Sequence, residues 1–363
     1  MRVLCVNDLP PGGASGTEVH LALLVDGLAR AGVAVEVFSG TPRRGGGRVK
    51  DAWDPGARAA LDARARQFRP DVLHFHNVVR ELSTAVLLAA PGLPRLLTVH
   101  DGRLLGDADG RGAAHRAWQR QVRARVDRLV VRRHVDRILA VSDTLAGRLR
   151  AAGFPRVEHQ APWAAAPTSP LVPPALSRDL VFVGRLDTDK GVEVLVEAFE
   201  SVAAGHPGAR LLLAGEGAAA DRLRRSASVR AGRTVLLGVL DRREVSRLLA
   251  TARAVVVPSL PGRRPEGTPL VIVEALVHGR PLVVSDDPGS VEAARVHSDR
   301  PAGVATPAGT VKHLAVALAA ILADDDLVDR LSVAAAFWGA SHSEAPALER
   351  LLRCYDELAG VAA

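Results

Sequence analysis

Several short runs in this chain are apolar at every position: Leu180-Val-Phe-Val183, Leu211-Leu-Leu-Ala214, Ala254-Val-Val-Val257 and Leu282-Val-Val284. A strand with one wet face alternates apolar and polar residues with a period of two. A strand apolar on both sides must be covered on both faces, which calls for a parallel sheet sandwiched between helices. Arg2–Asn7, Ala34–Ser39, Asp71–Phe75, Arg95–Val99 and Arg137–Val141 read as strands, with helices at Glu18–Ala31 and Ala57–Phe68. A proline-rich break from Ala161 to Pro174 interrupts this rhythm. It restarts with a strand at Asp179–Val183, a helix at Val192–Ala203 and a strand at Arg210–Ala214. The expected fold class is α/β, with two Rossmann-like, doubly wound parallel-sheet domains.

A length of 363 residues gives each domain enough chain to bury its own core. Aromatics make up only 3%, so those cores must be built from Ala, Val and Leu. The formal charge of +7 admits anionic partners such as phosphorylated ligands. No basic stretch is interleaved with stacking aromatics, so nucleic acid is not an expected partner. Cys5 and Cys354 are far apart and match no metal spacing; Cys5, within the first strand, reads as a small buried hydrophobe. No apolar run reaches membrane-spanning length, and the N-terminus reads as a strand rather than a signal, so a cytoplasmic location is expected.

The richest segment runs from Pro258 to Leu276, between two of the apolar runs. Thr268 and Pro269 stand where a helix cap and a first-turn proline belong, ahead of Leu270-Val-Ile-Val273. Such a helix start offers unpaired N–H groups and partial positive charge to an anion. Glu266 and Glu274 lie about 80° apart around the axis. They can grip two hydroxyl-bearing parts of one ligand whose phosphates rest on the helix end, the layout of a nucleotide-sugar. The alternative, two glutamates solvating an exposed face, stays open on these residues alone. Gly184-Arg-Leu-Asp-Thr-Asp-Lys-Gly191 follows a strand and supplies two cations, Arg185 and Lys190, which suit a diphosphate or an ordinary charged loop. Pro11-Gly-Gly-Ala-Ser-Gly16 has neither Walker nor dinucleotide spacing. His100, with Asp101 after it, ends one strand, and His74 and His76 end another, followed by Asn77.

The stretch from Glu266 to Glu274, with Gly267 between, and Gly279-Arg-Pro-Leu-Val-Val-Ser-Asp286 together resemble the E-x7-E region of the GT4 family. These are retaining glycosyltransferases of the GT-B fold. The likeness extends in order through Val183–Gly191, Leu213-Ala-Gly-Glu-Gly217 and the N-terminal glycine loop, over nearly the whole chain. It implies two domains facing a central cleft: an acceptor-side domain at 1–165 and a nucleotide-sugar domain at 166–344. A final helix, about 345–363 with Leu348–Leu358 at its centre, would cross back to the first.

The resemblance also implies roles. Arg185, Lys190 and Gly184 would hold the donor pyrophosphate, with Gly13 and Gly16 touching a phosphate. Glu266 would bind donor-sugar hydroxyls and Glu274 the ribose. The backbone at Gly267, Thr268, Pro269 and Leu270 would meet phosphate, and turns containing Gly215 and Val239 would surround the nucleobase. His100 would lie beside the donor sugar, making His100, Arg185, Lys190 and Glu266 the catalytic set. Glu18, His76, Asn77 and Asp101 fall on the acceptor side. A nucleotide-sugar donor, UDP ahead of GDP, a hydroxyl acceptor that is a small molecule, a lipid or a glycan, domain closure and metal-independent chemistry follow as expectations, with no cofactor. Asp107-Ala-Asp109 has the letters of a metal motif but sits in a loop without a phosphate partner.

The stretch His115–Ile138 puts Trp118, Val122, Val126, Leu129 and Val130 on one helical face and arginines around the rest. It reads as a packed helix with a solvated arginine face, or as an anionic-membrane contact. Two other classes stay open: a GT-B protein that isomerises or only binds a nucleotide-sugar, and a membrane- or partner-binding protein.

Overall fold

The computed structural model of the protein describes residues 1–12, 16–40, 53–78, 81–107, 123–260 and 267–361. The chain forms two compact units. Unit 1 contains Met1–Pro162 and Ala345–Ala363; unit 2 contains Trp163–Gly262 and Thr268–Glu344.

Unit 1 holds β1 (Arg2–Asn7), β2 (Ala34–Ser39), β3 (Val72–Phe75), β4 (Arg95–Val99), β5 (Arg137–Ala140) and β6 (Val157–His159). They form one parallel sheet in the order β2-β1-β3-β4-β5-β6. Unit 2 holds β7 (Asp179–Val183), β8 (Arg210–Ala214), β9 (Thr234–Gly238), β10 (Ala254–Val257), β11 (Leu282–Ser285) and β12 (Gly303–Thr306). Its sheet is also parallel, in the order β12-β11-β10-β7-β8-β9. In each sheet the winding reverses once, between β1 and β3 in unit 1 and between β7 and β10 in unit 2. At such a point the connecting loops diverge to opposite faces and leave a crevice at the strands' carboxyl ends, where ligands of doubly wound sheets bind.

The apolar runs behave as their composition requires. In β10, Ala254 and Val256 join one core with Phe199, Leu211 and Leu213, while Val255 and Val257 join another with Ile272 and Val284. Both faces are dry, and each Val, Leu, Ile or Phe side chain among them contributes about 1.5–3 kcal/mol by leaving water. Unit 1 differs. Leu4, Val6, Leu73, Phe75 and Leu97 fill one face of its sheet. The residues between them in sequence, Cys5, His74 and Thr98, are buried too. They are met by Tyr355 from the final helix, Glu344–Val361, whose hydroxyl lies 2.6 Å from His74 Nδ1.

Two buried guanidinium groups fix the end of the proline-rich segment and the residues just after it within unit 2. Arg280 donates to the carbonyls of Val172, Ala252 and His278 at 2.7–2.9 Å. Burial lowers its pKa to about 10, so it is still charged at neutral pH. Arg253, fully buried, donates to the carbonyls of Ile321, Ala175 and Ser177 and pairs with Asp325. Here a buried charge is met by several carbonyl dipoles, the arrangement that makes its burial tolerable.

Three local expectations change. β6 and β12 do not announce themselves in sequence, because edge strands of three or four residues need no apolar run. The helix after β10 begins at Leu270, with Pro269 rather than Thr268 in the cap position; Pro269 has ψ 121, extended and outside the helical range, and makes no side-chain cap bond. In the arginine-rich stretch the described helix is Ala124–His134, whose buried residues are Ala124, Asp127 and Val131. Val126 and Leu129, expected on a packed face, are instead 41% and 68% exposed, because the buried stripe lies one residue out of phase with them. Trp118 and Val122 lie outside the described residues.

Candidate functional site

At the switch point of unit 2, β7 leads into Gly184, Arg185 and the turn Thr188–Lys190. Gly191, at φ 66, lets this turn approach the end of β10: a Cβ there would stand 1.9 Å from the Pro258 carbonyl oxygen. Across the same gap the Leu260 N–H donates to the Asp189 carbonyl at 2.9 Å. Gly215, after β8, has φ 134, and a Cβ there would fall 1.9 Å from the Gly184 carbonyl. Only glycine fits either place. The result is a floor of backbone on which a ligand can come close.

Above that floor, Arg185 pairs with Asp187 and, at 3.2 Å, with Asp189. Asp187 is itself held by the Ala218 N–H at 3.0 Å. Lys190, half-buried, donates its backbone N–H to the Asp187 carbonyl at 3.0 Å. Val239, after β9, is 61% exposed. Glu274 lies in the helix Leu270–Val277, whose end is fixed by His278 bonding the Glu274 carbonyl at 2.8 Å and Ser246 at 2.9 Å. The Glu274 carboxylate has no hydrogen-bond partner among the described residues. Burial pushes its pKa up to about 7, against the pull of Arg242. Such a half-buried carboxylate, when ionised, is able to accept hydrogen bonds from hydroxyl donors.

Gly184, Arg185, Lys190 and Gly215 thus gather at one sheet edge, and Glu274 lies one turn into the helix that follows the neighbouring strand β10. Glu266 and Gly13 lie outside the described residues. Gly267 is counted with unit 1, where a Cβ would meet the His100 carbonyl at 2.4 Å. Thr268 and Leu270 are half-buried and Pro269 is buried.

The carboxyl edge of unit 1 gathers imidazoles. His76 Nδ1 lies 3.2 Å from His100 Nε2, and His74 Nε2 lies 2.8 Å from Thr98 Oγ1. The rings of His74 and His76 are 4.2 Å apart, and those of His20 and His100 5.5 Å. Burial, reinforced by the neighbouring imidazoles, lowers His20, His74 and His100 to about 3 and His76 well below its ordinary value. At neutral pH His100 is therefore an uncharged hydrogen-bonding group with one nitrogen already engaged. Asn77 acts as a brace: its side-chain amide donates to Thr17 and its backbone N–H to Asn7 Oδ1, both at 3.1 Å. Asp101 accepts from the Arg103 N–H at 3.0 Å and pairs with its guanidinium. Gly16 opens the helix Gly16–Arg30, and the carbonyl of Glu18 accepts from Gly12 at 3.3 Å.

Cys5, His74 and His76 bring three ligand atoms within 4.8 Å of one another. Their chemistry suits a metal poorly. Both His74 nitrogens are taken, and burial pushes the Cys5 thiol up to about 12, far from the thiolate a metal needs. Asp107 is committed to Arg148 at 2.8 Å.

Two groups escaped sequence reasoning. His20 joins the imidazole cluster from the buried side of its helix; its signal was a polar residue among Leu21, Leu24 and Leu28. Asp187 and Asp189 hold Arg185, and their signal was their place two and four residues after it.

Residues 14–159 match the family described as Glycosyltransferase Family 4, and residues 177–324 match Glycosyl transferases group 1. The chain belongs to glycosyltransferase family 4. It is 32% identical over 286 residues to glycogen synthase of Mycobacterium tuberculosis, covering 74% of this chain and 64% of that protein. It is 32% identical over 266 residues to the phosphatidyl-myo-inositol mannosyltransferase of Mycolicibacterium smegmatis, covering 71% of this chain and 63% of that one. The match therefore spans just under two thirds of these curated relatives. Among solved structures, sucrose-phosphate synthase from Thermosynechococcus elongatus superposes with a TM-score of 0.79 at 19% identity, over 99% of both chains. Anabaena HepE in complex with UDP and glucose gives 0.70 at 17% identity, over 98% of this chain and 99% of that one. The fold of this family 4 member is GT-B.

The Glu274 carboxyl yields a pH test. Its native pKa near 7 exceeds the ordinary 4.5, so the folded state binds the proton more tightly than the unfolded chain does. The stability this confers is complete below about pH 4.5 and is lost as the pH rises through 7. Glu274→Gln, which cannot ionise, should melt about 3 °C above wild type at pH 8.5 and level with it near pH 4. An equal gap at both pH values in thermal melts would contradict this account.

Proposed function

We propose that the protein is a retaining glycosyltransferase that moves a sugar from a UDP-sugar to a hydroxyl acceptor without a metal ion. The observation that carries the reading is the gathering of Gly184, Arg185, Lys190 and Gly215 at the switch point of unit 2, ahead of the helix that carries Glu274. UDP in the solved HepE complex supports the choice of nucleotide. Breaking a glycosidic bond to a diphosphate puts negative charge on the leaving group, and fixed cations stabilise charge that develops there. Arg185 and Lys190 supply two. Arg185 exchanges its carboxylate partners Asp187 and Asp189 for phosphate oxygens, which keeps the guanidinium oriented before the donor arrives. Glu274 accepts from ribose hydroxyls and Glu266 from those of the sugar. His100, neutral, contributes a hydrogen bond near the reacting centre, and the departing diphosphate helps take the acceptor's proton.

Calorimetric titration tests the donor half. Arg185→Ala should weaken UDP and UDP-glucose alike by about tenfold or more, since it removes a charge-assisted contact. Glu266→Ala should weaken UDP-glucose while leaving UDP unchanged. UDP binding that is unaltered in Arg185→Ala would overturn the assignment.

The exposure of Val126 and Leu129 among Arg125, Arg132 and Arg133 favours a second reading, contact with an anionic membrane. Vesicles containing phosphatidylglycerol should then sediment the wild type and lose Leu129→Glu; equal sedimentation of both would remove this reading. Among the described residues no helix is long and apolar enough to cross a membrane.

A further inference from the structure

Within unit 2 the helix that carries Glu274, Leu270–Val277, packs on the long helix Asp325–Ser341. Ile272, Ala275 and Leu276 of the first share a core with Ala334 and Ala335 of the second. One turn further on, Gly339 comes directly against backbone. A Cβ there would stand 2.3 Å from the Leu276 carbonyl oxygen, 2.6 Å from its carbon and 2.9 Å from Val277 Cα. Gly339 sits inside a regular helix, where alanine is the better helix former, so the close approach and not conformational freedom accounts for it. Nearby the Ser332 hydroxyl donates to the Gly279 carbonyl at 2.9 Å, just past the end of the short helix.

The two helices are not equally free to give way. Asp325–Ser341 has 17 residues, with Val328 and Leu331 rooted in one core of unit 2 and Ala334 and Ala335 in the other. Near its end Trp338 donates its indole N–H to the Arg300 carbonyl at 2.8 Å, and the Arg295 guanidinium lies 4.6 Å from the ring centre. Leu270–Val277 has eight residues and no side-chain bond at its N-cap. Volume added at position 339 therefore moves the short helix. Ordinary contact of a Cβ begins at 3.4 Å, so a methyl group there needs a shift of about 1 Å. Glu274 lies two residues before the carbonyl that would be pushed, and a displacement of that size spoils a hydrogen bond.

We infer that Gly339, with Ser332 beside it, positions Glu274 from behind: the missing side chain sets where the short helix lies and so where its carboxylate meets a ribose. The inference rests on the glycosyltransferase reading, which gives Glu274 the ribose hydroxyls. It deepens that reading by naming two residues that set the contact through the helix.

Calorimetry of the full-length protein with UDP and 2′-deoxy-UDP tests it, because the ratio of the two affinities isolates a ribose hydroxyl. Wild type should prefer UDP by about tenfold, and Glu274→Ala should lose that preference. Gly339→Ala should cut the preference to about threefold or less while binding 2′-deoxy-UDP as wild type does. Val333→Gly, on the exposed side of the same helix, weakens that helix away from Leu276 and should keep the wild-type ratio. A wild-type ratio in Gly339→Ala, with the preference lost in Glu274→Ala, overturns the inference and leaves the ribose assignment standing. An equal fall in Val333→Gly reduces Gly339 to a stability role and overturns it as well. No preference in wild type, or one that Glu274→Ala retains, removes the ribose assignment and the inference with it. Should Gly339→Ala lose its cooperative thermal transition, Ser332→Ala decides. It removes the bond to Gly279 without adding volume and should lower the ratio about threefold; an unchanged ratio overturns the inference.

Discussion

Gly191 brings the turn after β7 against the Pro258 carbonyl, and the Leu260 N–H clasps the Asp189 carbonyl from the loop after β10. This junction determines the rest of that sheet edge. It joins the two strands on either side of the winding reversal, so the chain that carries Arg185 and Lys190 and the chain that leads to Glu274 are held in register with each other. A side chain at position 191 would have to displace backbone, which no rotamer change can relieve. The parallel sheet provides the crevice, the two glycines at 191 and 215 let backbone line it closely, and the charges are arranged above.

Unit 1 uses its buried sheet differently. One face is filled with hydrocarbon, while the other carries Cys5, His74 and Thr98 under Tyr355. Such a polar layer is tolerable only because its members satisfy one another, as the bonds from His74 to Tyr355 and Thr98 show. Burial keeps the imidazoles neutral, so they add hydrogen-bonding shape to the edge without adding charge. The cations Arg185 and Lys190 belong to unit 2 and the imidazole cluster to unit 1.

Much of this was legible in the chain. Runs such as Ala254-Val-Val-Val257 could belong only to strands covered on both faces, and they lie near the middle of their sheet. β6 and β12 were not legible, because an edge strand is held by one neighbour and needs little apolar patterning. The charged loop 184–191 was legible as a motif, yet its internal pairing was not. Loops carry no period, and it is the fold of this one that turns Asp187 and Asp189 back onto Arg185. His20 was hidden for the opposite reason: its helix is so regularly apolar that one polar residue within it draws no notice. The stripe Val126 and Leu129 shows the limit of periodicity. A helix can be amphipathic in sequence while tertiary packing buries a neighbouring line of residues, here Ala124, Asp127 and Val131.

Hydrogen exchange with and without UDP tests most directly whether the nucleotide diphosphate rests at the β7/β10 switch point. The account predicts that UDP slows exchange in 184–192 and 268–274, the two segments joined at that junction, and leaves β5, β6 and the helix Asp143–Ala151 unchanged. Protection elsewhere in the chain with none in 184–192 would contradict it.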